Sequence, residues 1–378
     1  MPPAGPGRGP GGRARPVRAQ HPVPLLRGLR TTASRSGLRA PAAPRWARSA
    51  GLPSAGEGYC ANRAAARRLR PVCESLSAVT VAYLAPTGLV APIVAALGER
   101  VVAVRERLVL ATEPCDEAGF WAANTWLEPQ VRPIASIGDG AKWLRSMQRN
   151  WALYPVGSFR RAQLLVDKLP PLKARLRTFP FAVPSSPMGS WTLWRPDLML
   201  ASARCSSPFA NGELEFVDDR LGPPSRAFKK LWEALTLLGR MPAAGDRCLD
   251  LGASPGGWTW VLQRLGAEVL AVDKAPLDPA IATLPNVRQR NESAFGLDPR
   301  QVGPVDWLFS DVICYPRRLL ELVQRWRTAG MARHFVCTIK FQGDDEHAIA
   351  REFAAIPGSR VMHLHHNKHE LTFALLQD

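Results

Sequence analysis

At 378 residues the chain is long enough for two ordinary domains, and a hydrophobic content of 46% with 12 Trp and 13 Phe is that of a globular protein. No stretch approaches the roughly 18 to 20 uninterrupted apolar residues that a membrane-spanning helix requires, so a soluble chain with no membrane partner is expected. The formal net charge of +17 favours a polyanionic partner, whereas the seven dispersed cysteines, with no C-x-x-C pair, exclude the usual zinc and redox motifs and read as reduced thiols of a cytoplasmic protein.

Residues 1–56 hold ten Arg and no Lys, Asp or Glu, so +10 of the charge lies there and +7 remains for residues 57–378. Pro, Gly, Ala, Arg and Ser dominate this stretch, a composition that cannot bury enough surface to offset the entropy of ordering, and residues 1–75 are expected to be a disordered tail. An Arg-rich, acid-free leader also fits a mitochondrial transit peptide. An extension translated from a start codon placed too early would look the same, and an RNA-binding arm is a third reading.

From Val79 the pattern becomes VTVAYLA, a short apolar strand, then GLVAPIVAALG with helical spacing, then RVVAVRERLVLAT, a strand or hairpin. KWLRSMQRNWALYPV, the basic segment RRAQLLVDKLPPLKARLR and a final strand-like WTLWRPDLMLASA continue a small α+β domain over residues 76–203. Arg160, Arg161, Lys168, Lys173, Arg175 and Arg177 either form a phosphate-contacting face or are the solvated surface of a helix.

Beyond Ser225, apolar strands at 247–251, 268–272, 305–310, 334–339, 360–364 and 371–376 alternate with helical patterns at 258–265, 317–327 and 346–355. Alternation of this kind predicts a doubly wound, Rossmann-like α/β sheet. Its first strand runs into DLGASPGGWTW, which ends in a turn and opens a helix. Gly252, Gly256 and Gly257 then stand where backbone bends tightly and approaches a ligand without side-chain obstruction.

The spacing G-x-x-x-G-G differs from the dinucleotide G-x-G-x-x-G, and the preceding Asp250 is typical of S-adenosylmethionine binders. Asp250, Gly252, Ser254, Pro255, Gly256, Gly257 and Trp258 are therefore candidate cofactor residues, with a packing turn or an NAD site as the alternatives. Asp273, at the end of the next strand, can accept both hydroxyls of a ribose. Four further residues complete a pattern: Lys230 in SRAFKKL, Asp311 in WLFSDV, Lys340 in CTIKF and Glu370 in NKHELTF.

Together with SSPFANG at 206–212 and PPSRAFKKLWEAL at 223–235, these motifs make residues 204–378 resemble the catalytic domain of the FtsJ-like ribose 2′-O-methyltransferases. The likeness is greatest to the bacterial 23S ribosomal RNA (cytidine-2′-O)-methyltransferases of the RlmM type. It implies S-adenosyl-L-methionine as cofactor, ribosomal RNA as partner, no obligate protein partner and, for residues 79–200, correspondence to that family's THUMP-containing half. Residues 1–75 have no counterpart.

The reaction so implied is an in-line displacement, in which a ribose hydroxyl attacks the sulfonium methyl. By the resemblance Lys340 is the base, Lys230 and Asp311 orient it and the hydroxyl, and Glu370 keeps the charge pattern in register. A lysine that is partly desolvated and close to a second cation has a lowered pKa, which suits it to take the proton. The register S-R-x-x-x-K-L selects Lys230 and leaves Lys229 a solvated neighbour. Where the family has an adenine-contacting Asp, this chain reads RNESAF, so Glu292 or Ser293 must substitute; Asp311 borders the cofactor as well. The tract HLHHNKHE reads as polar positions flanking Glu370 rather than a metal site. A catalytically silent RNA-binding or assembly factor of the same fold is the competing reading, and a dinucleotide oxidoreductase is disfavoured by the glycine spacing.

Removing residues 1–56 is expected to leave RNA affinity and its salt dependence unchanged within a few-fold, because a transit peptide or mis-started extension makes no contact with substrate. An RNA-binding arm would instead flatten the slope of log affinity against log salt when ten positive charges are lost. Titrating full-length and truncated protein across a salt series separates the two.

Overall fold

Strand β1 (Val81–Leu84) is buried at all four positions because it lies between two partners in a five-stranded sheet. The computed structural model describes residues 76–172, 176–219 and 222–377, so the tail expected at 1–75, like Lys173 and Arg175, lies outside the described residues. After β1 come α1 (Val90–Leu97), the hairpin β2 (Val101–Arg105) and β3 (Leu108–Ala111), α2 (Asp116–Trp121) and β4 (Asn124–Leu127). Strand β5 (Gln130–Pro133) begins a second sheet. It is followed by α3 (Ile137–Met147), β6 (Trp151–Leu153), α4 (Phe159–Val166), β7 (Gly189–Arg195), β8 (Leu198–Ser202) and β9 (Arg204–Cys205).

The first sheet has the order β2-β3-β1-β4-β9 and the second β5-β8-β7-β6. Two expectations are corrected here. WTLWRPDLMLASA is not one strand but the antiparallel pair β7 and β8, since Pro196 and Asp197 turn the chain between two fully apolar runs. Residues 204–205, read as the start of the C-terminal half, pair with β4 as the edge of the first sheet.

The remainder comprises α5 (Phe228–Leu238), β10 (Arg247–Leu251), α6 (Gly257–Arg264), β11 (Glu268–Asp273), α7 (Pro279–Ala282), β12 (Val287–Asn291), α8 (Pro299–Val302), β13 (Val305–Ser310), α9 (Pro316–Ala329), β14 (Ala332–Lys340), α10 (Ile349–Ala354), β15 (Ser359–Met362) and β16 (Glu370–Leu375). These strands form one sheet in the order β12-β11-β10-β13-β14-β16-β15, parallel through β14 and antiparallel at β16 and β15. The expected doubly wound sheet is present. The helix expected at 346–355 is a tight 3-10 turn at Asp344–Ala348 that passes into α10.

Strand order reverses between β10 and β13, and a crevice opens outside the carboxyl ends of parallel strands at such a point. A hydrophobic core runs beneath it from Tyr83, Ile93 and Trp121 to Leu319, Phe353 and Phe373, so the antiparallel half and the seven-stranded sheet share one interior. Trp121 lies 5.0 Å, centroid to centroid, from Phe341, the residue after β14. Among the described residues no helix is long and apolar enough to cross a membrane.

Asn124, with no exposed surface, ties the halves together by polar contacts: its amide donates to Ser190 Oγ at 3.3 Å and its carbonyl accepts from Ser207 N at 3.1 Å. The second bond fixes the start of SSPFANG. Asn124→Ala strands a buried hydroxyl and a half-buried amide, so it should lower the free energy of unfolding by about 2 kcal/mol, as read from urea denaturation.

Candidate active site

Each of the four charged residues reaches the crevice from a different element. Lys230 lies in the first turn of α5, Asp311 directly follows β13, Lys340 closes β14 and Glu370 opens β16. Antiparallel pairing sets Lys340 and Glu370 opposite one another in register, which is why the first residue of the last strand arrives at the same edge as the ends of the parallel strands.

Asp311 Oδ1 is shared. Lys230 Nζ stands 3.3 Å from it and Lys340 Nζ 3.1 Å, while Lys230 Nζ also meets Glu370 Oε1 at 2.7 Å. Lys340 donates in addition to the main-chain carbonyl of Asp311. Side-chain exposures of 9 to 19% across the four place these contacts where solvent and salt screen them little. Burial acts to lower the pKa of Lys230, but the Asp311 and Glu370 carboxylates outweigh it and the net shift is upward, so this lysine stays cationic at neutral pH.

A cavity of about 470 Å³ opens beside the cluster, lined by Gly252, Ala253, Ser254, Pro255, Gly257, Trp258 and Asp273 and, facing them, by Asp311, Val312, Ile313 and Lys340. Lys340 borders it and Lys230 does not. Asp273 holds the loop by accepting from Ser254 N at 3.1 Å and Ala275 N at 3.0 Å, and its carboxylate lies on the cavity wall. Trp258 is anchored by an indole N–H bond to Ala227 O at 2.9 Å. Ser225 and Ala227 also line the cavity. Sequence reasoning had given them only the role of a motif around Lys230.

The backbone bends tightly at the glycines, as expected, with positive φ at Gly252 and Gly256. A Cβ on Gly252, where φ is +79°, would stand 2.6 Å from Val312 Cα; one on Gly256 would meet Ile281 Cγ2 at 2.8 Å and one on Gly257 would meet Ser225 Oγ at 2.5 Å. The space they leave is filled by the 311–313 segment, by α7 and by the residues just before α5, so the loop nests against all three, and Gly252 and Gly257 line the cavity as well.

Three candidates stand off the cavity: Gly256, Asp250 and Glu292. Asp250 is buried beneath the loop, where burial pushes its carboxyl up to about 7 against the hydroxyl bond donated by Thr259 at 2.7 Å. Glu292 is nearly half exposed and pairs with Arg290 at 3.7 Å, and neither it nor Ser293 lines the cavity. Lys229 is no solvated neighbour: its side chain is 16% exposed and forms an ion pair with Asp218 at 3.0 Å.

The histidine tract is built into the fold. Glu233, one turn beyond Lys230 on α5, is buried and accepts from the backbone N–H of His365 at 2.7 Å and of His366 at 3.0 Å, and so holds the loop that leads into Glu370. His365 Nε2 meets Glu215 Oε1 at 2.9 Å, and His366 packs against Phe216. Burial pushes His363 and His366 down to about 4.

Residues 223–343 match the family model of the FtsJ-like methyltransferases. Over 258 residues, 64% of this chain and 70% of the other, the sequence is 31% identical to ribosomal RNA large subunit methyltransferase M of Xanthomonas axonopodis pv. citri. The chain belongs to this methyltransferase family. Identity to the namesake protein of Halorhodospira halophila is 41% over 120 residues, 31% of this chain and 35% of that one. Against the relatives from Halorhodospira halophila, Thauera aminoaromatica and Xylella fastidiosa, the chain spans 35, 45 and 46% of their length. Among solved structures, the fibrillarin pre-rRNA processing protein of Methanococcus jannaschii aligns at a TM-score of 0.31 and 20% identity, over 39% of this chain and 75% of that one.

Burial pushes the Glu233 carboxyl up to about 8, against the two N–H bonds that oppose the shift. A carboxyl raised above its unfolded value of 4.5 contributes stability that is fully present below about pH 4.5 and is lost as pH rises toward 8. The advantage of wild type over Glu233→Gln should therefore shrink by on the order of a few kcal/mol between pH 5 and pH 8.5 in urea unfolding. Parallel curves would show that Glu233 does not ionise in this window.

Proposed function

We propose that the chain transfers a methyl group from S-adenosyl-L-methionine to the 2′-hydroxyl of a ribose in ribosomal RNA, at a cytidine of a 23S-type large-subunit RNA. The observation that carries this reading is the shared carboxylate oxygen of Asp311 between Lys230 and Lys340 at the edge of the glycine-loop cavity. Family membership supports the methyl transfer, and the relatives are named for large-subunit ribosomal RNA.

The cavity suits the cofactor. Its volume lies in the range of small-molecule sites, roughly 300 to 1,000 Å³, and Asp273 offers a carboxylate on the wall that can accept from ribose hydroxyls. The bound cofactor supplies an activated methyl on a sulfonium. Gly252, Ser254, Pro255, Gly257 and Trp258 would hold it, and Asp311 and Lys340 would face its reactive end.

Lys340 takes the proton from the attacking hydroxyl. When it does so as the neutral amine, Lys230 remains as the cation between Asp311 and Glu370, so neither buried carboxylate is left without a positive partner. Asp311 orients Lys340 through both its carboxylate and its carbonyl. Fixed geometry of this kind carries much of the acceleration, since it replaces a bimolecular encounter with an aligned attack. The antiparallel half, residues 76–203 in this reading, acts as a THUMP-like module that positions RNA, with Arg160, Lys168 and Arg177 on its basic surface. The chain would work in the cytoplasm, or in a mitochondrion if residues 1–56 are a transit peptide.

Lys340→Ala should lower methyl transfer at least about 100-fold while affinity for S-adenosylhomocysteine stays within a few-fold. A variant that keeps more than about a tenth of the wild-type rate rules Lys340 out as the base. Asp273→Ala should do the reverse at the first step, weakening S-adenosylhomocysteine binding in calorimetry; unchanged binding would move the cofactor elsewhere.

A further inference from the structure

The chain between Asp311 and α9 alternates. Val312 packs toward the shared core and Cys314 is buried in it, whereas Ile313 and Tyr315 are 79% and 61% exposed. Ile313 and Tyr315 are thus both turned to solvent on either side of the inward-facing Cys314. No other large hydrophobic residue named as exposed in the described chain is more exposed than Ile313, and Ile313 also lines the glycine-loop cavity.

The backbone beneath these two side chains is held at both ends. Val312 presses on Gly252, where no Cβ could fit. Tyr315 precedes Pro316, the first residue of α9, and its carbonyl accepts from Arg318 N at 3.0 Å and Leu319 N at 3.3 Å. A firmly seated loop thus offers an apolar branched side chain and an aromatic ring to solvent, at a rim where neither contributes core packing. The neighbouring cations are engaged elsewhere, Arg317 with the Glu352 carboxylate and Arg318 over the Phe295 ring. This face therefore offers apolar contact rather than charge.

We propose that Ile313 and Tyr315 form the platform on which the base of the acceptor nucleotide stacks. The inference rests on the ribose-methylation reading. A ribose hydroxyl that reaches Lys340 carries its base within one nucleotide of the cavity mouth. A base drawn out of its own stack loses an apolar neighbour on each face, and single-stranded RNA is commonly held by side chains that replace that neighbour. Ile313 supplies a flat aliphatic wall beside the cavity, and Tyr315 supplies the ring. Both are positioning residues, since they act on the base and not on the reacting atoms.

The test uses the full chain with in vitro transcribed large-subunit ribosomal RNA for methyl transfer, and a short single-stranded oligoribonucleotide for direct binding in the presence of S-adenosylhomocysteine. Loss of one stacked base by alanine substitution corresponds to roughly a 5- to 150-fold change. Tyr315→Ala and the double variant Ile313→Ala/Tyr315→Ala should raise the RNA KM and Kd within that range. For Tyr315→Ala, whose ring lies outside the cavity lining, S-adenosylhomocysteine affinity should stay within twofold, and the slope of log Kd against log salt should not change. Tyr315→Phe, which keeps the ring, should bind like wild type.

Equal RNA affinity of wild type and the double variant overturns the platform. So does a flattened salt slope, which would mean phosphate contact, or a Tyr315→Phe variant as weak as Tyr315→Ala, which would mean a hydroxyl contact. If wild type methylates no ribosomal RNA yet the ring-dependent binding persists, the functional reading fails and the platform stands.

Discussion

Asp311 Oδ1 holds two ammonium groups in a place from which water is largely excluded, and the arrangement of the site follows from that one oxygen. Two lysines brought this close would repel one another strongly in a medium of low polarity. Asp311 between them and Glu370 on the far side of Lys230 balance the charge. The cluster is neutral as a whole, so it can be buried, and it can release one proton without leaving a buried carboxylate unpaired. Every element that contributes to it is constrained accordingly: α5 must begin close to the carboxyl edge of the sheet, and β16 must run against β14.

Helix α5 does this with two side chains one turn apart. Lys230 grips Glu370 directly, and Glu233 grips the backbone of the loop that leads to it. Either contact alone would allow Glu370 to swing, since a strand's first residue has a paired neighbour on one side only. Within the histidine tract around this loop, burial pushes His363 and His366 down, whereas His365 meets the Glu215 carboxylate.

The antiparallel half enters the same logic through the shared core. Trp121 reaches Phe341, which follows Lys340, and Asn124 holds the segment that begins SSPFANG. Movement of the antiparallel sheet relative to the seven-stranded sheet would therefore be felt at Lys340 within two residues. This gives that half a physical route to the site through packing, without any of its side chains lining the cavity.

Local chemistry was enough to locate most of the parallel sheet. The apolar runs at 247–251 and 305–310, the turn after Asp250 and the order of Lys230, Asp311, Lys340 and Glu370 could be read directly, because strand periodicity and the glycine turn are set by near neighbours in the chain. The tertiary structure decided what depends on distant partners. It made the glycines accommodate Val312, Ile281 and Ser225, left Asp250 beneath the loop and Glu292 beside Arg290, paired Lys229 with Asp218, split one apparent strand into β7 and β8, and turned Ile313 and Tyr315 outward. A residue's type tells what contact would satisfy it, but burial and ion pairing are energies of pairs, and the second member of each pair is chosen only when the sheet has folded.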